Sequence, residues 1–581
     1  MWEPATASAK AGAAYEPLLS CRTLQTVAFA AALAIGVIYL VWFATLPSYP
    51  LQDFPNHLAR GVALSDLLFN HGARFGSVYS WGMVPVPYVL HDLLLATLIE
   101  ALGVQWGGSA FVTIVLVSLP LALLFYMRAA RLAPLARPLV FMIGFYLATD
   151  CFFLLAFMGF RLALAFVIAS LGWVEILRRR WSTGACVGYV LTLVCGYFTH
   201  LTAPVFFGAA LGVSSVVRLF FRATTVRREA ILWMPLVLLM LLHVAVLSPA
   251  HSAANPTTYE YFWGTWHTKL RYLTFEFTRF GSHLEQPMML LLLACLMWPL
   301  RRHLQLSRLT QPAVLEPLAI AAAFLVAYFL MPQFYSDSAY VDVRAQPILV
   351  TMLLLACLNV PGPDGSGRTF MTATTLSLVV ALSLTNFVFL VRHVGKHEAV
   401  LNQYRALADT IPPHSTLLPV HTLAKDGELR PLLHASGYAV ADREAVTPYL
   451  FAGDRGDPMK YFRYRARPYG PEEDWYRARL SWDRATEQTF IVGGHTYSWR
   501  FISGEAQGNL KAASLIPVDW NRVACTYDYL LATTPVDLRL IEAPVRWVRG
   551  NRAAALFAVD RSECRPELLP RTKVIQAVAE H

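Results

Sequence analysis

Residues 51–60 read LQDFPNHLAR and set Asp53, His57 and Arg60 at spacings of four and three. On a helix those spacings stack an acid, an imidazole and a guanidinium along one face. Such a face offers proton transfer next to fixed positive charge. Further ionisable residues follow: Asp150, Arg161 and His200, then Lys269 and Arg271 in YEYFWGTWHTKLRYL, then Asp342 and Arg344 in YVDVRAQP. Ionisable groups at bilayer depth are expensive and mark working sites. One acid within reach of several cations, beside a groove open to lipid, suits group transfer from an anionic lipid carrier.

Each residue also has an ordinary reading. Asp53, followed by Phe54 and Pro55, could simply cap a helix. His57 and Arg60 would suit a solvated interfacial helix, and Asp150 a wet span end. His200 in GYFTHLTAP could be a hydrogen-bonded histidine at a kink. Arg161 and Arg344 each open an apolar run from its polar end, where arginines snorkel. The aromatic series around Lys269 resembles an interfacial belt as much as a stacking surface.

The elements that must gather these residues are membrane spans. The chain has 581 residues, 56% hydrophobic and 15% charged, against roughly a quarter charged in soluble domains. Apolar runs fall at approximately 23–46, 108–128, 137–151, 160–177, 183–199, 201–221, 230–248, 286–300, 313–331, 345–360 and 369–391. Each approaches or reaches the length needed to cross ~30 Å of hydrocarbon. The net charge of +10 is carried by arginines between these runs, which is an orientation signal and excludes nucleic-acid binding. Residues 84–103, VPVPYVLHDLLLATLIEALG, are apolar yet hold His91, Asp92 and Glu100. Laid flat as an interfacial helix, they leave MRAARLAPLARP, LRRRW, RLFFRATTVRRE and LRRHLQLSR all cytoplasmic. The first loop, 47–107, and the connections near Asp150, His200 and 332–344 are then external.

The expected organisation is a cytoplasmic N-terminus (1–22), an α-helical polytopic membrane domain of about eleven spans (23–392) and an extracytoplasmic α/β domain (393–581). In the last of these, HVGKHEAVLNQYRALADTI reads as an amphipathic helix, with Val400, Leu401, Tyr404 and Leu407 on one side. STLLPV, TYDYLLATT and AAALFAVD read as strands. Six of the eight cysteines lie in or beside apolar runs. The other two, Cys525 and Cys564, could pair in an exported domain, although spacing alone does not establish it.

A first span, an external loop opening on an acid (LQDFPNHLAR) and an interfacial helix together resemble the GT-C class of integral membrane glycosyltransferases. These enzymes take a sugar from a polyprenyl-phosphate or polyprenyl-pyrophosphate carrier, and include the protein O-mannosyltransferases and the lipid A aminoarabinose transferase. Asp150 stands where several members have a second acid. TYDYLLATTP followed by AAALFAVD is similar to the external domain of uncharacterised bacterial members. The chain departs from the pattern at Asp53, where many relatives have an Asp-Glu pair, and it has no WWD motif. The resemblance implies an inner-membrane enzyme with Asp53 as general base, Asp150 as a second catalytic acid and inversion at the sugar, and the arginine- and alanine-rich usage suggests a bacterium of high GC content. It assigns the leaving phosphate to Arg344 first, then Lys269, Arg271 and Arg60, with His57, His200 and Arg161 in support. The implied partners are a polyprenyl-phosphate-sugar donor, a glycan, lipid or protein acceptor, and the bilayer. Some members use a divalent metal, but no cluster here has convincing ligand spacing. The rival reading is a transporter or flippase of a lipid-linked substrate, for which matched, interrupted repeats would be the sign. None is found.

Overall fold

A computed structural model describes residues 21–82, 87–131, 136–252, 261–274, 312–335, 338–359, 366–420, 432–448, 450, 462–464, 489–492, 495–498, 520–533 and 544–568, with a few positions between 285 and 294. Six described helices are long and apolar enough to cross a membrane: Thr23–Ala44, Val89–Ala129, Met158–Arg179, Thr202–Phe220, Val226–Ala245 and Ala373–Ala408. Four shorter apolar helices, Ala136–Ala148, Thr183–Thr199, Val314–Leu330 and Val343–Cys357, lie between them. Together they overlap ten of the eleven expected runs. The run at 286–300 falls largely outside the described residues. The chain is a mostly helical, multi-pass membrane protein with a small C-terminal sheet.

The helices are α1 (Cys21–Ala44), α2 (Phe54–Phe69), α3 (Val89–Ala129), α4 (Ala136–Ala148), the single turn α5 (Cys151–Leu154), α6 (Met158–Arg179), α7 (Thr183–Thr199), α8 (Thr202–Phe220), α9 (Val226–Ser252), α10 (Trp266–Tyr272), α11 (Pro312–Leu330), α12 (Gln346–Asn359) and α13 (Ser366–Ala408). α3 is two helices in one. Gly103, at φ 80° and ψ 167°, breaks it where the sequence separates an interfacial segment from a span. Only glycine enters that region without a Cβ penalty. α2 lies against the first half of α3, and Arg60 seals the contact. Its Nη2 donates to Asp92 Oδ1 at 2.6 Å, with both side chains fully buried.

A second ionic cluster lies at the far ends of α6 and α8. Arg178 grips Glu229 of α9 with two hydrogen bonds, 3.0 and 2.8 Å, while Arg218 reaches Glu316 of α11 at 2.7 Å and Glu175 at 2.5 Å. Arg161 and Arg178 are 17 residues apart on α6, about 26 Å at the helical rise. The bundle thus carries charge at both ends and apolar packing between.

α13 runs unbroken from the last apolar run past residue 392, where the sequence suggested a domain boundary. Its amphipathic part buries Leu401, Tyr404 and Leu407. Beyond it, β1 (Leu417–Val420), β2 (Tyr529–Thr533), β3 (Val545–Gly550) and β4 (Ala554–Val559) form one sheet in the order β3-β4-β2-β1. β1 and β2 pair parallel, the rest antiparallel. All three sequence-expected strands are present, and β3 is added. Cys525 and Cys564 form a disulfide.

The C-terminal region grips the loop ahead of α2 through α14 (Gly437–Arg443). Gly437 rests on the Pro55 carbonyl, and a Cβ there would collide with that backbone and stand 2.9 Å from the Asn56 nitrogen. The Tyr49 amide donates to the Tyr438 hydroxyl at 3.0 Å. Arg405 of α13 lies over the Tyr438 ring at 4.4 Å, holds Asp442 with two bonds (2.9 and 3.0 Å) and donates to the Pro47 carbonyl and Ser48 hydroxyl at 2.7 Å each.

Gly437→Ala forces a methyl onto rigid backbone, and overpacking of this kind destabilises by about 1–3 kcal/mol. A thermal midpoint in detergent unchanged from wild type would contradict the close approach. Arg60→Met strands Asp92 in an apolar interior, at about 3–5 kcal/mol, whereas Arg60→Met with Asp92→Leu should recover much of that loss in the same melt.

Candidate functional site

The loop 47–53 delivers Asp53 to the start of α2, and its backbone is pinned to the turn after α5. The Gln52 amide donates to the Leu154 carbonyl at 3.0 Å and the Asp53 amide to the Leu155 carbonyl at 3.3 Å. Asp53 occupies the N-cap position, yet its side chain makes no cap hydrogen bond. The capping reading therefore accounts for its place in the chain and not for its carboxylate. Oδ1 faces His434 Nε2 and Gln52 Nε2, each at 3.4 Å, and the side chain is 14% exposed. Burial pushes its pKa up to about 7, opposed weakly by the Gln52 amide. A carboxylate tuned to that range can both take and release a proton near neutrality.

One turn further along α2, His57 and Arg60 face α3. Arg60 Nη2 stands 3.2 Å from His57 Nδ1 and 3.5 Å from His91 Nε2, besides its bond to Asp92. A guanidinium only donates, so both imidazoles present a lone pair to it. Burial first, and then the charge of Arg60, hold His57 well below the usual histidine range, neutral at physiological pH. The resemblance to GT-C enzymes offered Arg60 to a phosphate. The structure instead buries it completely and spends it on Asp92.

Asp150 and Arg161 form a closed pair. Asp150 Oδ1 caps α5 by accepting the Phe153 amide at 2.8 Å, Oδ2 accepts from Arg161 Nη1 at 2.5 Å, and Arg161 Nη2 donates to the Leu147 carbonyl at 3.0 Å. Both side chains are 1% exposed. Their visible work is to shape the 150–158 turn, where Ala156 has φ +61°. That turn receives the Asp53 loop, and the same turn ends on Phe157.

Arg344 stands over the rings of Phe157 and Phe160, 5.5 and 5.8 Å from their centres. Tyr88 and His200 are close enough for their protonation to respond to its charge. His200 is held neutral, chiefly by burial, and its Nδ1 accepts the Thr202 amide at 3.1 Å, leaving the ring proton on Nε2. The ring meets Tyr88 edge-on at 4.6 Å.

Lys269 does not have donors to spare for a headgroup. An ammonium has three, and they go to the Tyr328 carbonyl (3.1 Å), the Met331 carbonyl (2.5 Å) and Asp342 Oδ2 (2.8 Å). Through Asp342, which caps the short turn Val343–Ala345, Lys269 positions Arg344. Arg271 is exposed on α10.

His57, His91 and Asp92 have ligand atoms within 4.8 Å of one another. The cation among them is Arg60, whose nitrogen lies 2.6–3.5 Å from all three. A divalent ion in this place would have to expel a fully buried guanidinium, so the donor set does not fit a metal. Sequence reasoning missed His434 and undervalued His91 and Asp92. The signal for the latter two was present: a His-Asp pair in an apolar segment needs a buried cation, and Arg60 on the preceding helix supplies it.

No family model matches this chain, and no curated protein does. Among solved structures it is similar to ArnT from Cupriavidus metallidurans. The crystal structure bound to undecaprenyl phosphate superposes with a TM-score of 0.48 at 11% identity, covering 94% of this chain and 100% of that one. The crystal structure in the apo state superposes with a TM-score of 0.48 at 12% identity, with the same coverage.

Proposed function

We propose that this chain is a glycosyltransferase that moves a hexosyl or pentosyl group from a polyprenyl-phosphate-linked donor to an acceptor on the extracytoplasmic side of a bacterial inner membrane. The donor belongs to the same class as the undecaprenyl phosphate bound by the Cupriavidus protein. One observation carries the reading. A carboxylate raised to about 7 sits on a loop docked to Leu154 and Leu155, and the same turn supplies Phe157 beneath the Arg344 guanidinium. One short turn thus touches both the backbone that carries the acid and the side chain of the cation. The arginine-rich connections favour an external position for this site, and the disulfide agrees with an exported C-terminal region.

Asp53 removes the proton from an acceptor hydroxyl as its oxygen attacks the anomeric carbon. The new carbon–oxygen bond forms while the bond to the lipid phosphate breaks, and the phosphate departs with the electron pair. Arg344 balances the charge that grows on the departing oxygens. Attack opposite the leaving group inverts the anomeric centre. Asp53 then returns its proton to water. Two aromatic faces behind Arg344 keep the guanidinium dry enough for its charge to be felt.

The base must be ionised, so kcat/KM should climb with pH and reach half its plateau near 7. A flat profile through neutrality would remove Asp53 from the proton transfer. Asp53→Asn should lower transfer by 10²–10⁴-fold, the usual scale of general-base loss, at unchanged protein level. Mass spectrometry of envelope glycans from a deletion strain complemented with each form reads this directly. An undiminished glycan sinks the assignment, and lipid movement across liposomes with no bond formed would turn it to a transporter.

A further inference from the structure

His434 belongs to the C-terminal region, 381 residues from Asp53 in the chain, yet it touches two residues at the start of α2. The Asn56 amide donates to its Nδ1 at 3.0 Å. The neutral ring then carries its proton on Nε2, the atom that faces Asp53 Oδ1 at 3.4 Å. Both nitrogens are committed, so the imidazole has no lone pair left for an incoming hydroxyl. This is an order of roles in which the carboxylate takes the substrate proton and the imidazole orients it. Oδ1 also takes the Gln52 contact at 3.4 Å. Among the described residues Oδ2 accepts no hydrogen bond, and it is the oxygen left to meet an acceptor.

The placement of His434 is not left to a mobile loop. Three residues later Gly437 seats the chain on the Pro55 backbone, and Tyr438 follows against Tyr49. Other titratable groups near Asp53 are His57 and Arg60 on α2 and, behind them, His91 and Asp92 on α3, all engaged with one another. His434 is the titratable side chain in direct contact with the Asp53 carboxylate.

We infer that His434 is the positioning residue of the base, fixing Asp53 Oδ1 so that Oδ2 faces the acceptor, and that the C-terminal region is thereby a working part of the active site. This rests on Asp53 being the base. The readout is chosen to be separate from that claim: the infrared band of the protonated Asp53 carboxyl, identified by its absence in Asp53→Asn, titrated with pH in full-length protein in lipid nanodiscs. His434→Ala should move the midpoint upward by about one unit, the effect of removing a polar contact that favours the ionised form. His434→Gln keeps a donor near the Nε2 position and should restore most of the wild-type midpoint. An unmoved midpoint in His434→Ala overturns the inference. Equal shifts in His434→Ala and His434→Gln also overturn it, since packing alone would then explain both. If instead the infrared shifts appear as expected while Asp53→Asn retains its envelope glycan, the positioning stands and the base assignment falls.

Discussion

The contact between Gly437 and the Pro55 carbonyl governs where Asp53 and His434 stand relative to one another. The loop 47–53 is too short and irregular to hold a shape by its own hydrogen bonds, and it enters α2 with a carboxylate that does not cap. It is instead held from outside. The 150–158 turn takes its amides from one side, and α13 and α14 close over it from the other through Arg405, Gly437 and Tyr438. Backbone-to-backbone packing at Gly437 allows little slack, because no side chain intervenes to adjust. Position is converted into chemistry here: half a turn's displacement of α14 would carry His434 away from Asp53.

Charge is handled in two ways within this frame. Arg60, Asp150, Arg161 and Lys269 are paired or saturated, and their energies go into geometry. Burying an ion is unfavourable by several kcal/mol unless it is paired, and each of these side chains meets an opposite charge inside the fold. Asp53 is the exception. It is buried enough for its proton affinity to rise, yet among the described residues its carboxylate meets a neutral amide and an imidazole rather than a guanidinium or ammonium. The contrast between satisfied pairs and one under-satisfied acid separates scaffold from site more sharply than residue type does.

Periodicity and hydropathy made most of the fold legible. Ten apolar runs coincide with helices, the break before the second span falls on Gly103, and three of the sheet's strands were readable from β-rich runs bounded by turns. The site was legible only in part. Asp53 stood out as an acid opening a polar loop, and Arg344 as a cation opening a run. Lys269 and Asp150 looked equally available, because a sequence shows charges but not the carbonyls that saturate them. His434 could not be seen at all. Its partner lies hundreds of residues away, and no local pattern encodes a contact made through the docking of a separate region.

The continuous α13 has a further meaning. A helix of 43 residues, about 65 Å long at the standard rise, joins the hydrocarbon layer to the roof of the site without a joint. Distance along such a rod is also angle. One residue added or removed between its apolar half and Arg405 would swing that guanidinium through about 100°, off Asp442 and Pro47 together, so the reading frame of this single helix is itself part of how the two halves recognise each other.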